Sequence, residues 1–154
     1  MGTMSDSAHD LHSALEALEA SLEAPVVPGE LESWIRTVQE SWTGMAAILA
    51  IELEQRHPEQ LDEIASQDDE MLPQVEKLRE EDQFIMEQFE EVSRLVQQLA
   101  DRAPKIEPHE QRADQAVQKL IDDGIGLIVR TRKQEAALKT WFVEAFNRDR
   151  GIAD

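Results

Sequence analysis

The sequence predicts an all-α protein: an up-down-up-down antiparallel four-helix bundle with a short extra helix between the second and third long helices. Three observations predict it. Ala, Leu, Glu, Gln and Asp dominate, Tyr and Cys are absent, and no long β-branched run occurs, a composition that suits helices and not strands. Along four stretches the apolar residues recur in alternating steps of three and four, the signature of a helix with one buried face. Short breaks rich in Pro and Gly separate these stretches, and short connections favour antiparallel neighbours. With 154 residues, 41% of them apolar and 31% charged, the chain can bury a real core. It reads as one domain over 1–154, with residues 1–5 expected to be disordered and Met1-Gly2-Thr3 readable as an added leader before a native Met4.

The first helix is expected from about Asp6 to Ala24, capped by Ser5 or Asp6, with Leu11, Leu15, Leu18 and Leu22 as its stripe. Pro25 to Gly29 breaks it. The second runs from about Glu30 to His57 on a seam of Leu31, Ile35, Val38, Trp42, Met45 and Leu49. Pro58 lacks an amide hydrogen and clashes with the preceding turn, so a new short helix is expected from Pro58 to Ala65. The third covers roughly Glu70 to Asp101 and buries Val75, Leu78, Ile85, Phe89, Val92, Val96 and Leu99. The fourth runs from about Pro108 to Asn147 with Val117, Leu120, Leu127, Leu138, Trp141 and Ala145 on one face. Gly124 and Gly126 weaken it locally and permit a close approach or a bend.

Charge and composition exclude several functions. The formal net charge is −18, from 33 acidic and 15 basic residues. Such a field repels nucleic-acid backbones and anionic lipid, so neither is an expected partner; a protein with a basic surface is. Absence of Cys removes disulfides, thiolate metal sites and Cys nucleophiles. No apolar run is long enough to span a membrane, and the expected location is cytoplasmic. The expected state is a monomer or homodimer. No phosphate loop or nucleophile motif occurs, and the acidic pairs Glu80/Glu81, Asp68/Asp69 and Asp122/Asp123 read as solvated faces.

One residue breaks the apolar pattern. Asp82 fills the slot between Leu78 and Ile85 in the third helix. A carboxylate facing a core is costly unless it is paired, hydrogen-bonded or bound to a metal. At a comparable height in an antiparallel bundle lie His12 on the first helix, Ala47, Ile51 and Glu52 on the second, and Thr131, Gln134 and Glu135 on the fourth. One cross-section can therefore hold His12, Asp82, Thr131 and either Gln134 or Glu135. Inward His and Glu side chains from several helices are how bundles build metal layers. The same residues can equally form a structural pair, with His12, Arg79, Arg130 or Arg132 as the partner of Asp82.

The helix order, the short segment after the second helix and this spacing resemble a hemerythrin-like domain over nearly the whole chain. In that family a Glu-His pair stands in the third helix; here the stretch reads Val75-Glu76-Lys77-Leu78-Arg79-Glu80-Glu81-Asp82, with Asp82 at the histidine's place. The end, Glu144 to Asp154 with Arg150-Gly151-Ile152-Ala153-Asp154, is similar to the acidic tail of some members. The resemblance implies a histidine-rich di-iron centre, from which this chain departs. It has four histidines, His9, His12, His57 and His109. Ala47 and Ile51 stand at the second helix's ligand positions and Thr131 at the fourth's, leaving His12 and Glu135 as matching ligands and Asp82 as an altered third.

The expected function is thus a hemerythrin-like bundle without most of its metal ligands, a non-catalytic binding or regulatory module with no metal and no cofactor. The alternative is a carboxylate-rich site for one or two metal ions, iron foremost, of His12, Glu52, Asp82 and Glu135, that senses oxygen, peroxide or nitric oxide. Two weaker metal readings exist. Glu54 and His57 have the spacing of ferritin-like di-iron bundles, which require two such motifs. His9, His12 and His57 near one end, beside Asp68, Asp69 and Glu70, can form a surface Zn²⁺ or Ni²⁺ site. All three Trp are expected in the core, with Trp34 the most exposed.

Overall fold

The computed structural model describes residues 4–107 and 111–153, with side chains from 9–107 and 114–147. Four long helices carry it: α1 (Met4–Glu23), α2 (Leu31–Ile51), α4 (Leu72–Arg102) and α5 (Gln111–Ala153), with α3 (His57–Gln67) between α2 and α4. Among the described residues there is no strand. No helix there is long and apolar enough to cross a membrane.

The apolar stripes read from the sequence are the buried faces. Leu11, Leu15, Leu18 and Leu22 of α1 are almost wholly covered, as are Ile35, Val38, Trp42, Met45 and Leu49 of α2. In α4 the seam from Val75 to Leu99 is buried apart from Phe89, which is half-buried and packs its ring on Trp42 at 5.2 Å. α1 packs on α2 and α5, α2 on α4, and α4 on α5. Gly124 lets α1 and α5 approach closely, because a Cβ there would lie 2.7 Å from Leu22 Cδ1; one at Gly126 would meet nothing within 4 Å.

Several boundaries differ from expectation. α1 begins at Met4, so Ser5 and Asp6 lie inside the helix and not at its N-cap position. The expected disorder of residues 1–5 falls partly outside the described residues, as does the expected start of the last helix at Pro108. α5 runs on to Ala153, past Asn147. Trp34 is buried, its indole Nε1–H donating to the Ala24 carbonyl at 3.0 Å, and Trp141 is the half-buried one.

The largest difference is at Pro58. The helix does not break there. Residues Glu52–Arg56 form a π turn that leads from α2 directly into α3, with helical backbone at Ile51, Arg56 and His57. The His57 amide donates to the Glu52 carbonyl five residues back. A π turn carries one extra residue. It thereby accommodates the proline ring, which cannot pack against a regular preceding turn. It also changes the register. A seam continuing from Met45 and Leu49 would next reach position 56; the extra residue hands that inward slot to His57, and Leu61 and Ile64 follow it into the core.

The core has two apolar parts. One gathers α1, most of α2 and the adjoining lengths of α4 and α5, ending near Leu49, Leu53, Ile85 and Ile128. The other gathers Leu61, Ile64, Met71, Val75, Leu78, Leu138 and Ala145. On each of the three chain segments a polar residue falls in the interval between them: Glu52 and His57, Asp82, and Thr131 with Gln134 and Glu135.

Candidate functional site: a buried histidine among carboxylates

His57 is the centre of this polar layer. It has no solvent exposure. Its Nδ1–H donates to Asp82 Oδ1 at 2.8 Å, and its Nε2–H donates to Glu135 Oε1. Glu52 Oε2 lies 3.7 Å from Nε2, and the other Glu52 oxygen is 3.3 Å from Arg56 Nε. Three carboxylates from the π turn, α4 and α5 thus converge on one imidazole. Each is there because its helical seam delivers it: Asp82 four residues after Leu78, Glu135 beside the buried Gln134, and Glu52 three after Leu49.

The layer is braced. Gln134 is buried, and its amide donates to the Leu78 carbonyl at 2.8 Å and to Asp82 Oδ1 at 3.0 Å. Asp82 Oδ1 therefore accepts two hydrogen bonds and is fixed in direction. Thr131, with no exposure, stands one turn before Glu135 on α5; among the described residues its hydroxyl oxygen has no hydrogen-bond partner.

Electrostatics follow from this geometry. Burial pushes the imidazole's pKa down. The hydrogen bonds to Asp82 and Glu135 and the charges of both outweigh burial and lift it to about 9. His57 is accordingly an imidazolium at neutral pH. Glu52, almost fully covered, has its pKa raised, first by desolvation and then by Glu135, with His57 and Arg56 opposing. Its charge is the least well compensated in the layer.

Of the four residues expected to be able to hold a metal, three come together and one does not. Glu52, Asp82 and Glu135 all border the layer; His12 is exposed and pairs with Glu16 of its own helix at 3.0 Å. His57 stands in the layer in place of His12. The arginines proposed as partners of Asp82 are engaged elsewhere: Arg79 with Asp62, Arg130 with Glu81 and Arg132 with Glu19. Ala47 and Ile51 do not fill the layer. Both are exposed, on the side of α2 away from Met45 and Leu49. Glu54 and His9 are exposed as well, so neither the ferritin-like pair nor the surface trio with His57 forms; His109 lies outside the described residues.

The signal that could have found His57 was the proline after it. A helix interrupted by Pro can skip one residue through a π turn and carry on, and the apolar pattern at Leu61 and Ile64 fits only the shifted register.

The di-iron centre implied by the hemerythrin-like pattern does not fit these residues. The layer offers one histidine, and both of its nitrogens face carboxylates. Comparison with protein-family models, with curated proteins and with solved structures gave no match for this chain.

Proposed function

We propose that the chain is a hemerythrin-like bundle that has lost most of its metal ligands and works as a non-catalytic binding or regulatory module. In this reading the long helices run up, down, up and down, and α3 is the family's short segment before the third long helix. Support comes from the pairing of sequence neighbours α1 with α2 and α4 with α5, closed by α2 on α4 and α1 on α5. The observation that carries the reading is His57. Its imidazolium stands where the pattern expects metal ions and pairs with both Asp82 and Glu135, offsetting part of their charge. A layer that supplies its own cation keeps the bundle folded without a di-metal centre.

A module of this kind acts through its surface. The net charge of −18 favours a partner with a basic face in the cytoplasm, met by a monomer or homodimer. The test is anaerobic loading with Fe²⁺, followed by air. The reading expects fewer than two irons per chain and no oxygen-dependent absorption band. Two irons per chain with such a band would contradict it and favour oxygen, peroxide or nitric oxide sensing.

A further inference from the structure

The geometry points to a site for a single divalent transition-metal ion, ligated by Glu52, His57 Nε2 and Glu135, with the ring oriented from behind by Asp82; on binding, the ion takes the place of the Nε2 proton, which is released to solvent. Each of the three residues offers one ligand atom, and these atoms lie within 4.8 Å of one another. Tetrahedral Zn²⁺ with bond lengths near 2.1 Å places its ligand atoms about 3.4 Å apart. The 3.7 Å between His57 Nε2 and Glu52 Oε2 is already close to this. Glu135 lies nearer to Nε2 and must draw back. Its side chain is 26% exposed, so it has room to do so, and the same opening admits a water as fourth ligand.

Two further observations mark the arrangement as more than a group of acids. The first is the division of labour on His57. One nitrogen faces the two candidate ligands, while the other donates to Asp82, which Gln134 holds in place. A metal-bound histidine characteristically gives its second N–H to a carboxylate, which fixes the tautomer and the ring plane. The second is Glu52. It is 4% exposed, and among the described residues its polar side-chain contacts are the longer ones to Arg56 and His57. A buried carboxylate so loosely paired gains more from a cation than one already tightly bonded. The single imidazole and the small number of oxygens favour Zn²⁺, Fe²⁺ or Mn²⁺ over Ca²⁺ and Mg²⁺, which require more oxygen ligands.

The proposal deepens the module reading by naming its ligand, and it differs from the hemerythrin-like pattern in both the number of ions and the histidine used. It is tested by titrating Zn²⁺ into the chelator-treated full chain by calorimetry, with Mg²⁺ as the comparison, while His57 is followed by NMR. One Zn²⁺ per chain is expected, with a shift of the His57 Nε2 resonance. Glu52→Gln and Glu135→Gln should each weaken binding by about 100-fold or more. Asp82→Asn, acting through the ring's orientation, should weaken it roughly 10–100-fold. His12→Gln should change nothing. Glu135→Gln, at a partly exposed position, keeps an acceptor for His57 and so provides a folded variant if Glu52→Gln does not fold. Binding that survives Glu135→Gln, or a Zn²⁺ affinity no better than that for Mg²⁺, would overturn the proposal. Neither result bears on the module reading, which only a two-iron centre contradicts.

Discussion

Asp82 and His57 form the residue-scale link between sequence and structure. Asp82 was legible because it interrupts a seam that is otherwise apolar. Its partner was harder to see, because His57 takes its inward position from a register shift signalled only by the proline after it and the apolar pattern at Leu61 and Ile64. Removing either partner leaves the other's hydrogen bond unmade inside the core. Asp82→Ala should therefore cost about 3 kcal/mol in urea unfolding, as expected when one member of a buried ion pair is deleted. Asp82→Asn, which keeps an acceptor for the ring, should cost less. The pH dependence has a definite sign. The folded pKa of His57 is raised from 6.5 to about 9 by Asp82 and Glu135 against the opposing effect of burial. The imidazolium's stabilisation is therefore complete below pH 6.5 and is lost as the pH rises through about 9. Glu52 and Arg56 are the other ionisable groups at the ring. Urea midpoints of metal-free protein should fall between pH 7 and 9.5, and the fall should flatten in His57→Gln.

At the scale of the element, the π turn and the glycines of α5 make separate demands. The stripes of α1, α2, α4 and α5 were readable because a 3.6-residue period fixes which residues share a face. The reading went astray at Pro58, where a proline was taken to end the helix. The helix instead widens by one residue and continues, carrying His57, Leu61 and Ile64 into the core. Ala47 and Ile51 were misassigned for a related reason, since a ligand pattern was followed in place of the seam of Met45 and Leu49. Gly124 and Gly126 of α5 should respond in opposite directions. Gly126→Ala meets open space and should stabilise by up to about 1 kcal/mol through helix propensity. Gly124→Ala brings a methyl against Leu22 and should destabilise by about 1 kcal/mol or more, because overpacking exceeds the propensity gain. Thermal unfolding of the two variants side by side checks both signs.

At the scale of the whole molecule, two apolar clusters meet across one charged layer, and the acidic charge lies mostly outside it. Self-repulsion of a net charge of −18 opposes the compact state and is screened by salt. The melting temperature should therefore rise between about 0.02 and 0.3 M NaCl, a range over which the screening length falls several-fold. The buried layer, shielded from that salt, should keep its own contribution. The all-helical class followed from composition and period, because every long stretch told the same story. Most of the layer's membership followed from matching the helices in height, but its histidine did not, because His57 depends on one extra residue in a turn. The account rests on His57 being a buried imidazolium held by Asp82 and Glu135. The most direct measurement is an NMR titration of its ring nitrogens in metal-free protein. The account predicts both nitrogens protonated at pH 7.5, with deprotonation near 9. A neutral ring at pH 7.5, titrating close to 6.5, would contradict it.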